Sequence, residues 1–447
     1  MSLTRQVLLA TMLAVPIGLC AQERETRSVD VLGLDRAVTM ALDSNRQLQI
    51  AVLDVERAQQ RVAEARTRRL PTFNTYVLAS QLITSLDFTV RAGQFGTYSA
   101  IGPVPSADTK LSTRRQPTTY VTAQAAQPLS QLHQLGLSIR AQEVGTAIAR
   151  EALRQTRQAV IDQVKQAYYA LLQTQSSLDA AEDALKYCEE LDQITDRYFA
   201  QKVVLKSDTL TVKAQLARAR YRIVTLRDAL ASQRESLNQL IGRDLRAQFS
   251  VQPVAGPTAD ETDLDAGARA LDERPEVRQA RLRVKQAGLD YRVQVSKYIP
   301  DVSLAVNYLS TFGVEFLPRN VASVGVLVNW EPFDWGRKRR ELAEKALAIR
   351  QADYSVREAE QSVLVDVNAG LRKLQQARVL VDVTRLAQET ENEKLRVVIN
   401  QYPLKAALLK DVLQEQAAVA DANDQYRQAL LAFWMAKADF ERALGGQ

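Results

Sequence analysis

Proline is missing from two long stretches of the chain, between Pro128 and Pro253 and between Pro332 and Pro403. It lacks an amide hydrogen and clashes with the preceding turn, so helix interiors exclude it. Both stretches therefore admit very long helices. At 1.5 Å per residue, a helix of about 70 residues reaches roughly 105 Å, several times the ~30 Å of a bilayer core. The prolines also mark a duplication. Leu34-Asp35 stands 37 residues before Pro71, and Leu264-Asp265 stands 36 before Pro300. Pro128 and Pro332 close the regions that follow, and from them it is 80 residues to Asp208 and 79 to Asp411. One unit of helix, two strands, long helix, turn and helix is built twice, and such repeats share a continuous core. The shorter helices, 34–69 with 208–242 and 264–297 with 405–444, span about 35 residues each. Laid end to end, two of them match one long rod.

Periodicity supports packed rods. Val164, Leu171, Leu178 and Leu185 recur every seven residues, with Val160, Ala167, Ala181 and Cys188 between them, which is a coiled-coil seam. Val212, Leu216, Ala219, Ile223, Leu226, Leu230, Leu237 and Leu240 advance in steps of three and four, with a gap at Gln233. After Pro300 the pattern changes to period two. Val302, Leu304, Val306 and Tyr308 alternate with Ser303, Ala305 and Asn307, and Val324, Val326, Val328 and Trp330 alternate with Ser323, Gly325 and Asn329. In the first repeat Val121, Ala123 and Ala125 alternate with Thr122 and Gln124. Strands of about 10 residues with one apolar face suit a wall between lipid and a wet lumen. Tyr120, Tyr308, Trp330 and Trp335 lie near strand ends, as in an interfacial girdle. Lipid supplies no partners to open sheet edges, so such strands close into a barrel. Four strands are too few for one, and the chain is expected to oligomerise, at least as a trimer if the tube conducts. A water-soluble coiled-coil tether in the periplasm is the competing reading of the helices.

The first residues read as an export signal: a short basic start at Arg5, an apolar run from Val7 to Leu19 and small residues at Gly18, Cys20 and Ala21. Cys20 offers a lipoprotein alternative, although Leu19 is bulky where a lipidation site usually has a small residue. The expected division is a leader at 1–21, an extension at 22–33, a first repeat at 34–250, a linker at 251–263 and a second repeat at 264–447. The 58 basic and 52 acidic residues nearly cancel, so the net charge of +6 does not call for nucleic acid. Without Cys20 only Cys188 remains, and it reads as a small core residue. His133 is the only histidine, no Cys/His set has metal-ligand spacing, and there is no phosphate-cradling loop or nucleophile elbow. The expectation is a protein that is no enzyme and uses no cofactor or metal.

The segment Trp330-Glu331-Pro332-Phe333-Asp334-Trp335-Gly336-Arg337-Lys338-Arg339 resembles the signature of TolC-like outer-membrane factors, a Pro-Leu/Ile-Phe-Asp-x-Gly-Arg-Arg run joining the last strand to the longest helix. Leu70-Pro71, Ile299-Pro300 and Asp411-Val412-Leu413 are similar to that family too, and the likeness runs from Leu34 to Leu444. The resemblance implies a mainly α fold with a small β-barrel. It implies a homotrimer whose twelve strands span the outer membrane and whose coiled-coil hairpins form a tunnel across the periplasm. Such a channel is a passive exit duct in outer-membrane lipid that pairs with a periplasmic adaptor and an inner-membrane transporter. It also implies a gate at the turns between the long and short helices. By that likeness Tyr402 bonds Asp208 across two hairpins and Asp411 belongs to an acidic ring. Gln414 stands where some relatives have a second aspartate, and Ala407 where some have a lock arginine. Asp208 and Asp411 read equally well as caps of the helices that follow. The adaptor-contact tips fall at Lys202-Val203 and Leu404-Lys405, where relatives often carry glycine in place of the lysines. With Lys206 and Lys410 the tips are basic, which implies an adaptor with an acidic or otherwise divergent tip. Residues 80–116, with Gly93, Gly96, Gly102, Pro103 and Pro105, read as a long exterior loop.

Overall fold

The computed structural model describes residues 30–113, 115–202, 205–254, 266–313, 318–401, 404 and 406–446. The expected leader, most of the extension, linker residues 255–263 and the site residues Val203, Tyr402 and Lys405 lie outside them. The first repeat runs β1 (Asp30–Leu32), α1 (Leu34–Ser44), α2 (Arg46–Thr67), β2 (Thr72–Gln81), β3 (Leu86–Val90), β4 (Thr97–Tyr98), β5 (Gly102–Pro103), β6 (Thr109–Thr113), β7 (Pro117–Pro128), α3 (Gln131–Ala200), α4 (Lys206–Leu240) and β8 (Phe249–Val251). The second runs α5 (Ala266–Glu273), α6 (Pro275–Ser296), β9 (Asp301–Phe312), β10 (Asn320–Asn329), α7 (Arg337–Gln401) and α8 (Leu409–Ala443). The fold is mainly helical, and no described helix is long and apolar enough to cross a membrane.

The two rods, α3 with 70 residues and α7 with 65, set the length of the molecule. Along α3, α2 packs at the sheet end and α4 at the far end, and α6 and α8 flank its other side. α7 is paired with α6 and α8 in the same way. The heptad seam is where periodicity places it: Val160, Val164, Leu171, Leu178 and Ala181 are buried, as are Leu216, Ile223, Leu230 and Leu237 of α4.

Each expected 35-residue helix before a strand is in fact two, broken where it meets the end of its partner. In the first repeat the break is Asn45, whose Oδ1 accepts the amide hydrogens of Gln47 and Leu48 and caps α2. Its Nδ2 donates to the Leu240 carbonyl at the end of α4 (3.0 Å), and Ser44 Oγ donates to the Ile241 carbonyl (2.6 Å). In the second repeat the break is Arg274, followed by Pro275 at the first position of α6, where its missing amide hydrogen costs nothing. Arg274 is 6% exposed. Its Nη1 donates to the Arg442 carbonyl at the end of α8 (3.2 Å), while Nη2 pairs with Asp366 (3.3 Å) and Nε with Glu276 (3.0 Å). Gly242 ends α4 with φ 69° and Gly445 ends α8 with φ 83°. The largest apolar cluster lies at the first splice, around Leu32, Ala41, Val164, Tyr168, Leu237 and Phe249. Tyr168 donates to the Leu32 carbonyl and accepts the Gln252 amide hydrogen, tying in the parallel pair β1–β8, which periodicity did not reveal.

The strands form one antiparallel sheet in the order β10-β9-β7-β2. Its register sets Val77, Val121 and Ser310 in one row, and Asn74, Gln124, Asn307 and Ser323 in another, on the opposite face. Every strand meets its helix at the same end of the sheet. Residues 80–116 are less a loop than expected: β3 pairs with β6 and β4 with β5, extending the β2–β7 hairpin. Where β10 passes into α7, Asp334 accepts the amide hydrogens of Gly336 (3.0 Å) and Lys338 (2.9 Å). Glu331 pairs with Arg337 and Lys338 across the same turn. The Pro-Phe-Asp-x-Gly-Arg run is thus the start of the longest helix of its repeat, written in capping groups. Those bonds, with Lys338 and Arg337 nearby, hold the Asp334 carboxyl below its ordinary pKa.

Two outcomes are expected. A Cβ at Gly242 would stand 2.6 Å from Ser44 Oγ, at a φ that side chains avoid, whereas one at Gly288 within α6 meets nothing within 4 Å. Thermal unfolding should show Gly242→Ala losing more than about 1 kcal/mol and Gly288→Ala gaining about 0.5–1 kcal/mol. For Asp334 the folded pKa is depressed, so its stabilisation is present above about pH 4 and lost as pH falls through the folded value. Melting temperature should therefore fall more on acidification for the unmodified protein than for Asp334→Asn, and equal slopes would contradict this.

Candidate functional site

The site is the pair of turns farthest from the sheet, where α3 returns as α4 and α7 as α8. Each short helix opens alike. Asp208 Oδ2 accepts the Leu205 amide hydrogen (3.1 Å), and Asp411 Oδ2 accepts that of Leu408 (2.9 Å). A carboxylate on the third helical residue, reaching back to the preceding backbone, is half of a capping box; leucine has no side-chain acceptor for the other half. The capping reading of both aspartates is thus what the described contacts contain. Gln414 is exposed one turn beyond Asp411. The turns bring Asp208, Asp411 and Gln414 to the same end of the molecule, whereas the junction residues Pro332, Phe333, Asp334, Gly336 and Arg337 stand at the other end of α7.

Lys202 has φ 59°, in the left-handed region that glycine fills without strain, and its amide donates to the Phe199 carbonyl. Leu404 is 77% exposed, and Leu205 and Leu408, each just before a short helix, are exposed at 71% and 60%. Periodicity overlooked these two leucines because helix patterns stop where turns begin, although their equal distance from Asp208 and Asp411 was a signal. The tip thus combines lysine with bare leucine.

The hairpins behind the turns differ. α3 and α4 are laced by Lys213–Asp196, Arg220–Glu189 and Arg227–Glu182, a ladder whose members recur every seven residues. In the matching part of α7 the ion pairs stay within the helix, at Lys394–Glu391 and Arg396–Glu393. Beyond Val381 no described residue of α7 is buried, whereas α3 is buried as far as Thr195. Cys188 is half-buried on the α3 seam, with burial raising its thiol pKa. His133 is exposed in the first turn of α3. Among the described residues no group of side chains could hold a metal ion.

The model of the outer membrane efflux protein family matches residues 37–243 and 267–446, one segment in each structural repeat. The fold is shared with a membrane protein from Pseudomonas aeruginosa at 20% identity, covering 94% of this chain and 91% of that one with a TM-score of 0.74. It is shared with the CmeC outer membrane channel of Campylobacter jejuni at 15% identity, covering 99% and 94% with a TM-score of 0.73. The open state of the MtrE outer membrane channel of Neisseria gonorrhoeae matches at 20% identity, covering 92% and 89% with a TM-score of 0.70. No protein of curated function matches the chain. With both repeats matched by one family and the architecture repeated in solved channels, the chain belongs to the outer membrane efflux protein family and is an outer-membrane channel that reaches into the periplasm.

Proposed function

We propose that three copies of this chain close a twelve-stranded barrel in the outer membrane and form one helical duct, the passive exit of a tripartite efflux or type I secretion system. The observation that carries this is the pair of free edges. β10 and β2 bound the four-stranded sheet, and nothing within the described chain pairs with either outer side. In lipid those edges need partners, and a copy on each side supplies them. The exposed apolar row Val324, Val326 and Val328 then faces lipid, and the Asn74–Gln124–Asn307–Ser323 row faces the lumen. Residues 1–21 direct export, and a periplasmic adaptor and an inner-membrane transporter complete the system.

Gating belongs to the end remote from the sheet. The α3–α4 ladder makes that hairpin the fixed wall, and the α7–α8 hairpin, which has no such ladder among the described residues of its far part, is the part that swings. Exposed ion pairs contribute only ~0–1 kcal/mol each, so it is their number and the buried seam together that hold α4 in place. Asp208 has a second role here, bonding Tyr402 in the shut state, while Asp411 and Gln414 line a less acidic aperture than two aspartates would make. Lys202, Val203, Leu404 and Lys405 form the adaptor contact, an apolar tip with a basic fringe that favours an acidic partner.

In planar bilayers the protein should form a small-conductance channel that Asp208→Ala and Tyr402→Phe each enlarge, while Asp411→Ala, which removes an equivalent cap, does not. Equal effects of Asp208→Ala and Asp411→Ala, with none from Tyr402→Phe, would reduce Asp208 to a cap. Lys202→Gly should relieve about 1 kcal/mol of backbone strain and yet weaken binding to the cognate adaptor. Unchanged affinity would remove the basic fringe from the docking account.

A further inference from the structure

Among the described residues only Lys202 and Trp335 are non-glycine residues with positive φ. Trp335, at φ 55°, is also 89% exposed and lies edge-on against Phe333, ring centres 4.7 Å apart, which is itself exposed. A bulky aromatic in a strained turn, bared to its surroundings, is costly twice over. The tube does not require it. At the matching junction of the first repeat, Pro128-Leu129-Ser130-Gln131, α3 begins with Ser130 in ordinary right-handed geometry. Something outside the chain therefore accounts for the indole.

Its position says what. The exposed row Val324, Val326 and Val328 points on to Trp330, just past the helical end of β10, and Trp335 stands in the turn between that end and α7. The same rim is rich in cations, of which several are already engaged: Arg66 by Glu143, Arg68 by Glu64, and Arg337 and Lys338 by Glu331. Glu341 is taken up by Gln294 and Arg337. Arg69, Arg339 and Arg340 remain exposed, with no ion pair among the described residues. We propose that this rim anchors the inner leaflet of the outer membrane, Trp335 and Phe333 lying at headgroup depth and Arg69, Arg339 and Arg340 binding the phosphates of anionic phospholipid. Tryptophan prefers that depth because its ring is apolar and its N–H needs a polar partner. Guanidinium matches phosphate oxygens two at a time. The anchor rests on the barrel reading, since it needs the sheet in lipid.

The test uses the full-length chain carrying Trp330→Phe and Trp434→Phe, so that Trp335 is its only tryptophan, in vesicles of phosphatidylethanolamine and phosphatidylglycerol brominated near the headgroup. Flotation with the vesicles, loss of most Trp335 emission to bromine and little loss to aqueous iodide are the expected results. Flotation with quenching by iodide places the indole in water, and quenching by neither places it against a neighbouring copy; either overturns the anchor while leaving the barrel. Failure to float overturns the barrel reading and the anchor with it. In a second measurement, phosphatidylglycerol should raise the melting temperature more than phosphatidylcholine does, and replacing Arg69, Arg339 and Arg340 by glutamine should abolish the difference. If the triple variant keeps it, or if inorganic phosphate alone reproduces it in detergent, the lipid site is wrong.

Discussion

A wall built from one long rod beside two half-length helices depends on how the short helices meet. Each meeting point brings together carbonyls left free at one helix end and amides left free at the next, and both are buried where bare polar groups are expensive. The chain meets this need twice by different means. Asn45 caps α2 with its oxygen and holds the end of α4 with its nitrogen. Arg274 reaches the end of α8 and is neutralised by Asp366 and Glu276. A buried guanidinium is tolerable only with such partners. The first apolar cluster packs around the Asn45 splice and the second, around Ala270, Val277, Val363 and Phe440, around the Arg274 splice. The splices are therefore the joints from which the hairpins extend.

Beyond the joints the repeats diverge. The first hairpin carries buried residues and a heptad ladder of ion pairs nearly to its turn. The second crosses from α7 to α8 through Lys373–Asp439 near the splice, keeps the ion pairs of its far part within α7, and buries no described residue of α7 past Val381. The short helices α4 and α8 are equal in length, 35 residues each. In the proposed gating, the hairpin without the ion-pair ladder moves while the laced one holds the wall. At the opposite rim the second repeat again departs, with a left-handed turn and an exposed aromatic pair where the first repeat has a plain helix start. The duplication supplies the frame, and the proposed gate and membrane anchor both lie where the copies disagree.

Much of this was legible in the residues. Pro71, Pro128, Pro300 and Pro332 bound the strands because proline punctuates both helix and ladder, and the seam from Val160 to Ala181 is buried as its spacing requires. The break at Arg274 was legible in Pro275, which cannot stand inside a helix and pushes the residue before it out of helical geometry, although the spacing alone runs one helix across it. The break at Asn45 was not legible, since asparagine does not forbid a helix and only the arrival of a distant helix end makes stopping there favourable. The three-residue strands β1 and β8 are too short to show a period, and their pairing is decided by Tyr168, more than a hundred residues from the first. Residues 80–116 read as loop from their glycines and prolines, whereas Leu86, Phe88 and Val90 alternate within β3 and pair with β6. At the turns remote from the sheet, Asp208 and Asp411 stand out by their spacing from Pro128 and Pro332. Leu205 and Leu408 were missed because an exposed leucine in a turn belongs to no pattern.

The central claim is that a sheet with two free edges closes only between copies. It is tested most directly by the native mass of the full-length protein extracted from the outer membrane in detergent. The account predicts a particle of three chains that dissociates when detergent or lipid is withdrawn. A monodisperse single chain, stable in water without detergent, would contradict the closed barrel and leave the long hairpins as a tether.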